Sequence, residues 1–284
     1  MRTRPFQQVD VFTATPYLGN PVAVVLDGTG LDDAQMQAFA RWTNLSETTF
    51  VLPPTERQAD YHLRIFTPGG ELAFAGHPTL GSCHAWLQAG GVPRDRETVL
   101  QQCGVGLVQI RRGQDMLAFG APALRRSDPD TELLAGVAGA LGIQAGQVVA
   151  AQWLDNGTAW LGLLLDGPGT VLQLAPDFAA LTRLGHKVGV AGVYPQAQAG
   201  SDAPGLEVRG FAPHLGVNED PVTGSLNASL AQWLIAEGHM PQRYLAAQGA
   251  CLQRAGRVSI QHDAVGQVWV GGRSVTCIAG TVTL

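Results

Sequence analysis

Two segments of the chain carry the same motif, and both contain residues that can move protons or hold an anion. The first copy occupies residues 64–68 and 77–82, and the second occupies residues 209–213 and 220–225. Each copy continues into an apolar stretch with helical spacing. At one matching position the first copy has His77 and the second has Asp220. Two titratable side chains at matching positions are more than helix capping requires.

Pro78 and Pro221 predict that a helix begins at each of them, because proline fits the first helical position, where its missing N–H has no partner to lose. His77 and Asp220 are therefore the predicted N-caps, although histidine is not a preferred cap. Small residues in the first turns would let an anion approach free backbone N–H groups, an attraction of roughly 0.3–1 kcal/mol per helix. The predicted binding residues are Gly76, Thr79, Gly81, Ser82, Gly224 and Ser225.

The order strand, glycine turn, helix, strands, motif and helix occurs in both halves, which indicates a two-fold duplication. Residues 24–30 match residues 163–169, and helices are predicted at residues 33–42 and 177–184. If the halves pack pseudo-symmetrically, both motif helices would point their N-termini into one cleft. That cleft would suit a small carboxylate and would stabilise the negative charge that develops as a proton leaves the neighbouring carbon.

Glu47 is the third candidate for chemistry. It lies where a predicted helix ends and a strand begins, in residues 44–50. The corresponding segment of the second half, residues 185–194, contains no carboxylate. The structural alternatives for Glu47 are an exposed loop acid or the third position of a helix cap, and the alternative for Asp220 is a simple helix cap. The asymmetry between the halves favours a role for Glu47 outside folding.

Composition limits the functional classes. The 284 residues are about twice the usual domain size, and a hydrophobic content of 45% is enough for a large core, so two domains are expected. Only 14% of residues are charged, the net charge is −5 and no basic tract occurs, which argues against nucleic acid and against a membrane surface. We find no apolar signal core in residues 1–10 and no apolar run of membrane-spanning length. Without a CxxC pair, buried thiols in a cytoplasmic protein are expected for Cys83, Cys103, Cys251 and Cys277.

Local signals predict further strands and the domain limits. The residues Asp155, Asn156 and Gly157 predict a hairpin, because Asn and Gly tolerate positive φ. Residues 98–111 and 116–119 are predicted to form a strand pair, and residues 196–205 a surface loop. The expected domains are residues 1–119 and 122–274, with a final strand at residues 275–284 returning to the first domain.

Together these motifs resemble the phenazine-biosynthesis isomerase (PhzF-like) family, which shares the diaminopimelate epimerase-like fold. The resemblance covers essentially the whole chain and is carried by residues 9–13, 19–25, 44–50, 74–81, 219–225, 248–249, 256–257 and 271–280. It implies an α+β protein of two pseudo-symmetric domains, each a barrel-like sheet around a central helix, with the active site between them. It also implies a cytoplasmic, cofactor-free isomerase that often forms a homodimer.

The type activity of that family isomerises trans-2,3-dihydro-3-hydroxyanthranilate by moving a proton within its ring. The resemblance places the acid/base glutamate at Glu47, the supporting histidine and aspartate at His77 and Asp220, and a substrate-contacting serine at Ser225. We therefore predict general acid–base catalysis on a small carboxylated substrate, with neither metal nor cofactor. Glu47 would then need a raised pKa, which a closed apolar cleft can supply.

Three alternatives belong to other classes. Amino-acid racemases and epimerases of the wider fold use paired cysteines, which should stand where this chain has His77 and Asp220, whereas Cys83 is displaced and is expected to pack. A non-catalytic carboxylate-binding protein could retain the same groups without turnover. A hydrolase that uses metal or histidine would match no common zinc spacing, and it would have to draw on His62, His77, His84 and His214.

Overall fold

The computed structural model describes residues 1–195 and 203–284, so residues 196–202 of the predicted surface loop lie outside the described residues. The described chain is a mixed α+β protein in which strands dominate and helices are few. Its contacts divide it into two compact units, residues 1–120 with residues 271–284, and residues 121–270. No described helix has both the length and the apolar character needed to cross a membrane.

Most elements are short strands joined by tight turns. The strands are β1 Thr3–Val11, β2 Asn20–Val25, β3 Glu47–Leu52, β4 Tyr61–Thr67, β5 Gly70–Leu72, β6 Thr98–Cys103, β7 Gly106–Arg112, β8 Leu117–Gly120, β9 Arg125–Ser127, β10 Val148–Asp155, β11 Ala159–Leu165, β12 Val188–Val193, β13 Leu206–Ala212, β14 Val217–Asp220, β15 Arg243–Gln248, β16 Gly256–His262, β17 Val268–Gly272 and β18 Ser274–Thr283. The α-helices are α1 Asp33–Thr43, α2 Gly76–Gln88, α3 Thr131–Leu141, α4 Pro168–Gln173, α5 Phe178–Leu184 and α6 Gly224–Ala236. Short 3₁₀ turns occur at Ala145–Gln147, Pro213–Leu215 and Ala250–Leu252.

In the first unit, β1 pairs antiparallel with both β2 and β18. β2 runs parallel to β3, which pairs antiparallel with β4. β4 then pairs antiparallel with β5 and parallel with β6, and β6, β7 and β8 follow as antiparallel neighbours. Glu47 lies opposite Val22 in the parallel β2–β3 ladder, so its backbone is fixed by the sheet.

Helix α2 is the core helix of the first unit. Its residues 76–83 are all buried, because strands β1, β2, β3, β4, β6, β8 and β18 contact it. Gly81 permits the closest approach: a Cβ atom there would overlap the Val22 side chain and come within 2.8 Å of Val11. The helix therefore presents a small-residue face to the strands, and this packing fixes the position of its N-terminal turn.

Helix α1 confirms the predicted helix at residues 33–42 and the predicted apolar face, since Met36, Phe39 and Ala40 are buried. Asp32 caps its N-terminus in a reciprocal capping box with Gln35. The helix ends at Asn44, whose φ of 54° places it in the left-handed region that commonly terminates helices. That turn redirects the chain so that β3 begins three residues later, at Glu47.

In the second unit, β10 pairs antiparallel with β9 and β11, and β11 runs parallel to β12. β12 pairs antiparallel with β13, which pairs antiparallel with β14 and parallel with β15. β15 and β16 are antiparallel. Helix α6 is largely buried and approaches β12 closely, since a Cβ at Gly189 would overlap the Leu226 side chain. The order of parallel and antiparallel pairs thus follows the order found from β1 to β7, while pseudo-symmetry of the two domains stays a prediction.

Candidate active site

Glu47 is a buried carboxyl group at the beginning of β3. Its side chain is only 15% exposed. Burial penalises the charged form and raises the pKa of Glu47 to about 7, and a hydrogen bond from the Ser46 side chain opposes part of this rise. A carboxyl group with this pKa is present in both its protonated and its charged form near neutral pH.

His77 is the partner that the first unit supplies to this carboxyl group. Its Nε2 atom lies 3.4 Å from Oε2 of Glu47, and its side chain is only 5% exposed. Because both groups are largely removed from water, a proton or a positive charge on the imidazole interacts strongly with the carboxylate. The structure thus brings together two of the three residues predicted to be catalytic.

The prediction that His77 is the N-cap of its helix is wrong. Ala75 is the N-cap, with extended backbone angles, and α2 begins at Gly76. The first intrahelical bond in this turn joins the Thr79 N–H to the Ala75 carbonyl at 3.2 Å. Proline is tolerated throughout the first turn, where N–H groups have no helical partner, so Pro78 lies at the third position rather than the first. His77 therefore lies inside the helix, at its second position, and its imidazole faces Glu47.

Three residues predicted to bind substrate from the α2 turn have interior positions in the structure. Thr79 accepts a hydrogen bond from the buried Gln101 amide at 3.0 Å. The Ser82 hydroxyl is 2.8 Å from that of Thr49 and is fully buried. Gly81 packs on β1 and β2, in the second turn rather than the predicted first turn. The fourth predicted binding residue of this turn, Gly76, is the first residue of the helix.

Asp220 is also not an N-cap, because it is the last residue of β14 and the N-cap of α6 is Thr223. Pairing with Gly210 on β13 keeps Asp220 in the strand, so the helix begins three residues later than predicted, at Gly224 instead of Pro221. The Thr223 hydroxyl donates to Oδ2 of Asp220 at 2.7 Å, which fixes one carboxylate oxygen. The acid thus lies beside the beginning of α6 without capping it.

Gln248 organises this corner of the second unit, although the sequence predicted no role for it beyond the family resemblance. Its Oε1 accepts from the Thr223 N–H at 3.0 Å and from the Asn227 amide at 2.8 Å. Its Nε2 donates to the Asp220 carbonyl at 3.0 Å and to the Thr223 hydroxyl at 2.9 Å. Gln248 is buried, so this saturated network holds Asp220 and the helix start in one arrangement. Gln248 is 25 residues from Thr223 and 28 residues from Asp220 in the sequence, so no local pattern predicts these contacts.

Gly224 and Ser225 occupy the first two positions of α6, as a binding role for that turn requires. Both the hydroxyl and the backbone carbonyl of Ser225 accept hydrogen bonds. Its Oγ accepts from Nε1 of Trp160 at 3.2 Å, and its carbonyl accepts from Nδ2 of Asn156 at 3.1 Å. The hairpin signal at Asn156 is confirmed by β10 and β11, but the contacts with Ser225 were missed.

The arginines of the duplicated motif are structural. Arg209 makes a bidentate pair with Glu219, with N···O distances of 3.0 and 2.8 Å and both side chains 5% exposed. Arg64 makes the corresponding bidentate pair with Glu71 at 2.7 and 2.6 Å. Each guanidinium also lies over the aromatic ring two residues further on, 5.0 Å from the centroid of Phe66 and 5.1 Å from that of Phe211.

The other histidines lie in separate environments. His84 bonds the Thr276 hydroxyl at 3.1 Å, and burial lowers the pKa of His84. His62 lies on β4, and His214 lies in a 3₁₀ turn of the second unit. Across residues 1–195 and 203–284, no group of three or more His, Cys, Asp or Glu side chains is placed to hold a metal ion.

Solved structures with the same fold define the class of this protein. The solved structure of a PhzF-family phenazine biosynthesis protein from Bacillus anthracis matches with a TM-score of 0.85 and 21% identity, covering 100% of both chains. The family model described as "Phenazine biosynthesis-like protein" (PhzC-PhzF) matches residues 9–280. The chain belongs to this family.

Two curated relatives extend the comparison over nearly the full length. The protein named "Antisense-enhancing sequence 1" of Schizosaccharomyces pombe is 36% identical over 294 residues, covering 99% of each chain. The trans-2,3-dihydro-3-hydroxyanthranilate isomerase of Pseudomonas aeruginosa is 31% identical over 273 residues, covering 91% of this chain and 90% of that protein. Named isomerases among the relatives support assignment of this chain as an isomerase of the family.

Proposed function

We propose that this isomerase moves a proton between carbons of a small carboxylated substrate of the dihydro-hydroxyanthranilate type, by general acid–base catalysis and without a cofactor. The observation that carries the proposal is the Glu47 carboxyl group, which is buried, has a pKa of about 7 and lies 3.4 Å from the His77 imidazole. Enzymes tune carboxyl groups to this range when one residue serves as both base and acid.

In the proposed reaction, the Glu47 carboxylate takes a proton from an sp³ carbon of the substrate ring. The electron pair of the broken C–H bond moves into the adjacent conjugated system. The protonated Glu47 then returns the proton to a second carbon, where the electron pair forms a new C–H bond. Nothing is oxidised or reduced overall, so the step needs no co-reactant.

His77, Asp220 and the α6 turn have supporting roles in this proposal. His77 hydrogen-bonds Glu47 or a polar substrate group as the charge on the carboxylate changes. Asp220, held by Thr223 and the Gln248 network, binds a polar substituent of the substrate. Gly224 and Ser225 bind the substrate carboxylate through the first-turn N–H groups and the serine hydroxyl, which suits the positive end of a helix.

Racemisation by paired thiols is not proposed. Cys83 is fully buried, and burial raises the pKa of its thiol to about 12. A thiol with that pKa is protonated at neutral pH and is a poor base. The buried-thiol expectation is correct for Cys83 and Cys103, whereas Cys251 is exposed and Cys277 is half-buried.

The test is substrate proton exchange in heavy water with trans-2,3-dihydro-3-hydroxyanthranilate, comparing the wild type with Glu47→Gln. We expect product that carries solvent deuterium at one carbon, and a loss of about 10²-fold or more in turnover for the variant. The matched control is Glu56→Gln, an exposed acid of the same unit, which should react like the wild type. Wild-type turnover by Glu47→Gln would refute the mechanism.

A homodimer and a cytoplasmic location also stay predictions. Size-exclusion chromatography with light scattering should give a mass near twice the 29.9 kDa of one chain. A mass of one chain at micromolar concentration would contradict the predicted dimer.

A further inference from the structure

Trp160 touches the serine that the proposed function places against the substrate carboxylate. Trp160 lies on β11, is only 4% exposed, and its Nε1 atom is 3.2 Å from Oγ of Ser225. An indole N–H can only donate, whereas a serine hydroxyl has one proton and two lone pairs. In this contact Ser225 must therefore be the acceptor. Its own O–H remains available to donate to another acceptor.

The loop of the β10–β11 hairpin holds the backbone of the same serine. Asn156 is 5% exposed and donates from Nδ2 to the Ser225 carbonyl at 3.1 Å. The loop spans residues 156–158, because Asp155 pairs with Ala159, and Gly157 takes a positive φ of 104° at its centre. The hairpin thus fixes both the position of Ser225 and the direction of its hydroxyl lone pair.

A lysine adds positive charge over the face of the indole ring. Nζ of Lys187 lies 5.2 Å from the centroid of the Trp160 ring and donates to the Thr158 hydroxyl. A cation over an indole face is attracted by the ring electrons. By drawing those electrons toward itself, it makes the indole N–H a stronger donor to Ser225. The charge also favours an anion at the beginning of α6.

We propose that Trp160 is a positioning residue for substrate binding: by donating to Ser225 it leaves that hydroxyl to act as a hydrogen-bond donor, and so favours an acceptor on the substrate, a carboxylate most strongly. This inference rests on the proposed function, which assigns Ser225 to the substrate carboxylate. Asn156 supports the same arrangement by holding the Ser225 carbonyl, and Lys187 supports it by lying over the Trp160 ring.

The test compares Trp160→Phe with the wild type. Phenylalanine keeps a six-membered aromatic ring but lacks the five-membered ring that carries the N–H donor. We expect KM for trans-2,3-dihydro-3-hydroxyanthranilate to rise about threefold to tenfold, the effect of one hydrogen bond, with kcat nearly unchanged. Calorimetric binding of 3-hydroxyanthranilate should weaken by a similar factor, and binding of its methyl ester, whose neutral carbonyl is a weaker hydrogen-bond acceptor, should weaken less. The matched control is Trp153→Phe, whose ring packs against His186 instead and should leave both constants unchanged.

A double-mutant cycle separates positioning from a general structural effect. If Trp160 acts through Ser225, Trp160→Phe should have no further effect on binding in a Ser225→Ala background. An effect of the same size in both backgrounds would overturn the inference and indicate a packing role. If Ser225→Ala weakens carboxylate binding and Trp160→Phe does not, only the role of Trp160 fails. If the wild type neither binds 3-hydroxyanthranilate nor turns over the dihydro compound, the proposed function fails and this inference with it.

Discussion

Nε2 of His77 lies 3.4 Å from Oε2 of Glu47, although the two residues come from different kinds of element. Glu47 begins strand β3, which follows α1 after the C-cap residue Asn44, whose backbone is in the left-handed region. His77 is the second residue of the buried helix α2. The contact therefore depends on how α2 packs in the first unit rather than on local sequence. Burial at this contact gives the carboxyl group a pKa far above its ordinary value.

The pH dependence of catalysis should report this carboxyl group. With a pKa of about 7, Glu47 is protonated at acidic pH and cannot accept a proton from the substrate. We expect kcat/KM to fall about tenfold per pH unit well below pH 7 and to level off above it, since kcat/KM reports the free enzyme. Rates measured from pH 5 to pH 9 check this. A profile that is flat between pH 5 and pH 8 would show that another group is the base.

The same pKa predicts a cost to stability at high pH. The folded pKa of Glu47 is raised from 4.5 to about 7, so the folded state binds more protons than the unfolded state between these values. Stability contributed by this site is therefore complete below the unfolded pKa and is lost as pH rises through the folded pKa, by about 3 kcal/mol at most. Glu47→Gln removes the titration and should stabilise the protein more at pH 8 than at pH 4.

Urea unfolding of the wild type and of Glu47→Gln at both pH values measures this difference. The Glu56→Gln variant is the control, because an exposed acid should give the same small change at each pH. A stability difference for Glu47→Gln that does not depend on pH would mean that the buried carboxyl group is not destabilised when charged.

Local patterns were sufficient for some elements of the fold and the site. The apolar face of α1 and the hairpin around Gly157 follow from periodicity and turn chemistry, which act over a few residues. The segment of the second half that corresponds to residues 44–50 contains no carboxylate, and this difference singles out Glu47 from the sequence alone. A predicted strand at residues 98–111 is instead two strands, β6 and β7, because Gly106 adopts a φ of 97° and reverses the chain.

The helix starts and the supporting contacts could not be obtained in this way. Proline is compatible with several positions near a helix start, so Pro78 and Pro221 did not fix the caps. The bond from Trp160 to Ser225 spans 65 residues and depends on the packing of α6 against β10 and β11. Such contacts follow from tertiary structure, and single-sequence periodicity carries no information about them.

Gly81 should be intolerant of even one added methyl group. A Cβ there would overlap Val22 and come within 2.8 Å of Val11, both fully buried. Gly81→Ala should therefore cost about 1–3 kcal/mol by overpacking, in spite of the better helix propensity of alanine. The control is Gly139→Ala, at an exposed position of α3, where a Cβ meets nothing within 4 Å and a gain of about 0.5–1 kcal/mol is expected. Chemical denaturation measures both, and equal effects would contradict the packing argument.

Arg209 should be essential to the fold of the second unit through its pair with Glu219. Both side chains are 5% exposed, and the guanidinium also donates to the carbonyls of Val171 and Leu174. Arg209→Met would leave the Glu219 carboxylate buried without its partner, at a cost of about 3–5 kcal/mol. The double variant with Glu219→Gln should recover part of this loss, because the uncompensated charge is removed.

The matched control for this ion pair is Arg126→Met. Arg126 pairs with Glu237 at 2.6 Å in the same unit, but both side chains are 36% exposed, and exposed pairs contribute about 0–1 kcal/mol. Thermal and urea unfolding should therefore separate Arg209→Met from Arg126→Met by about 2 kcal/mol or more. If the two variants lose similar stability, or if Glu219→Gln adds to the loss of Arg209→Met, burial of the Arg209–Glu219 charges is not what makes this pair important.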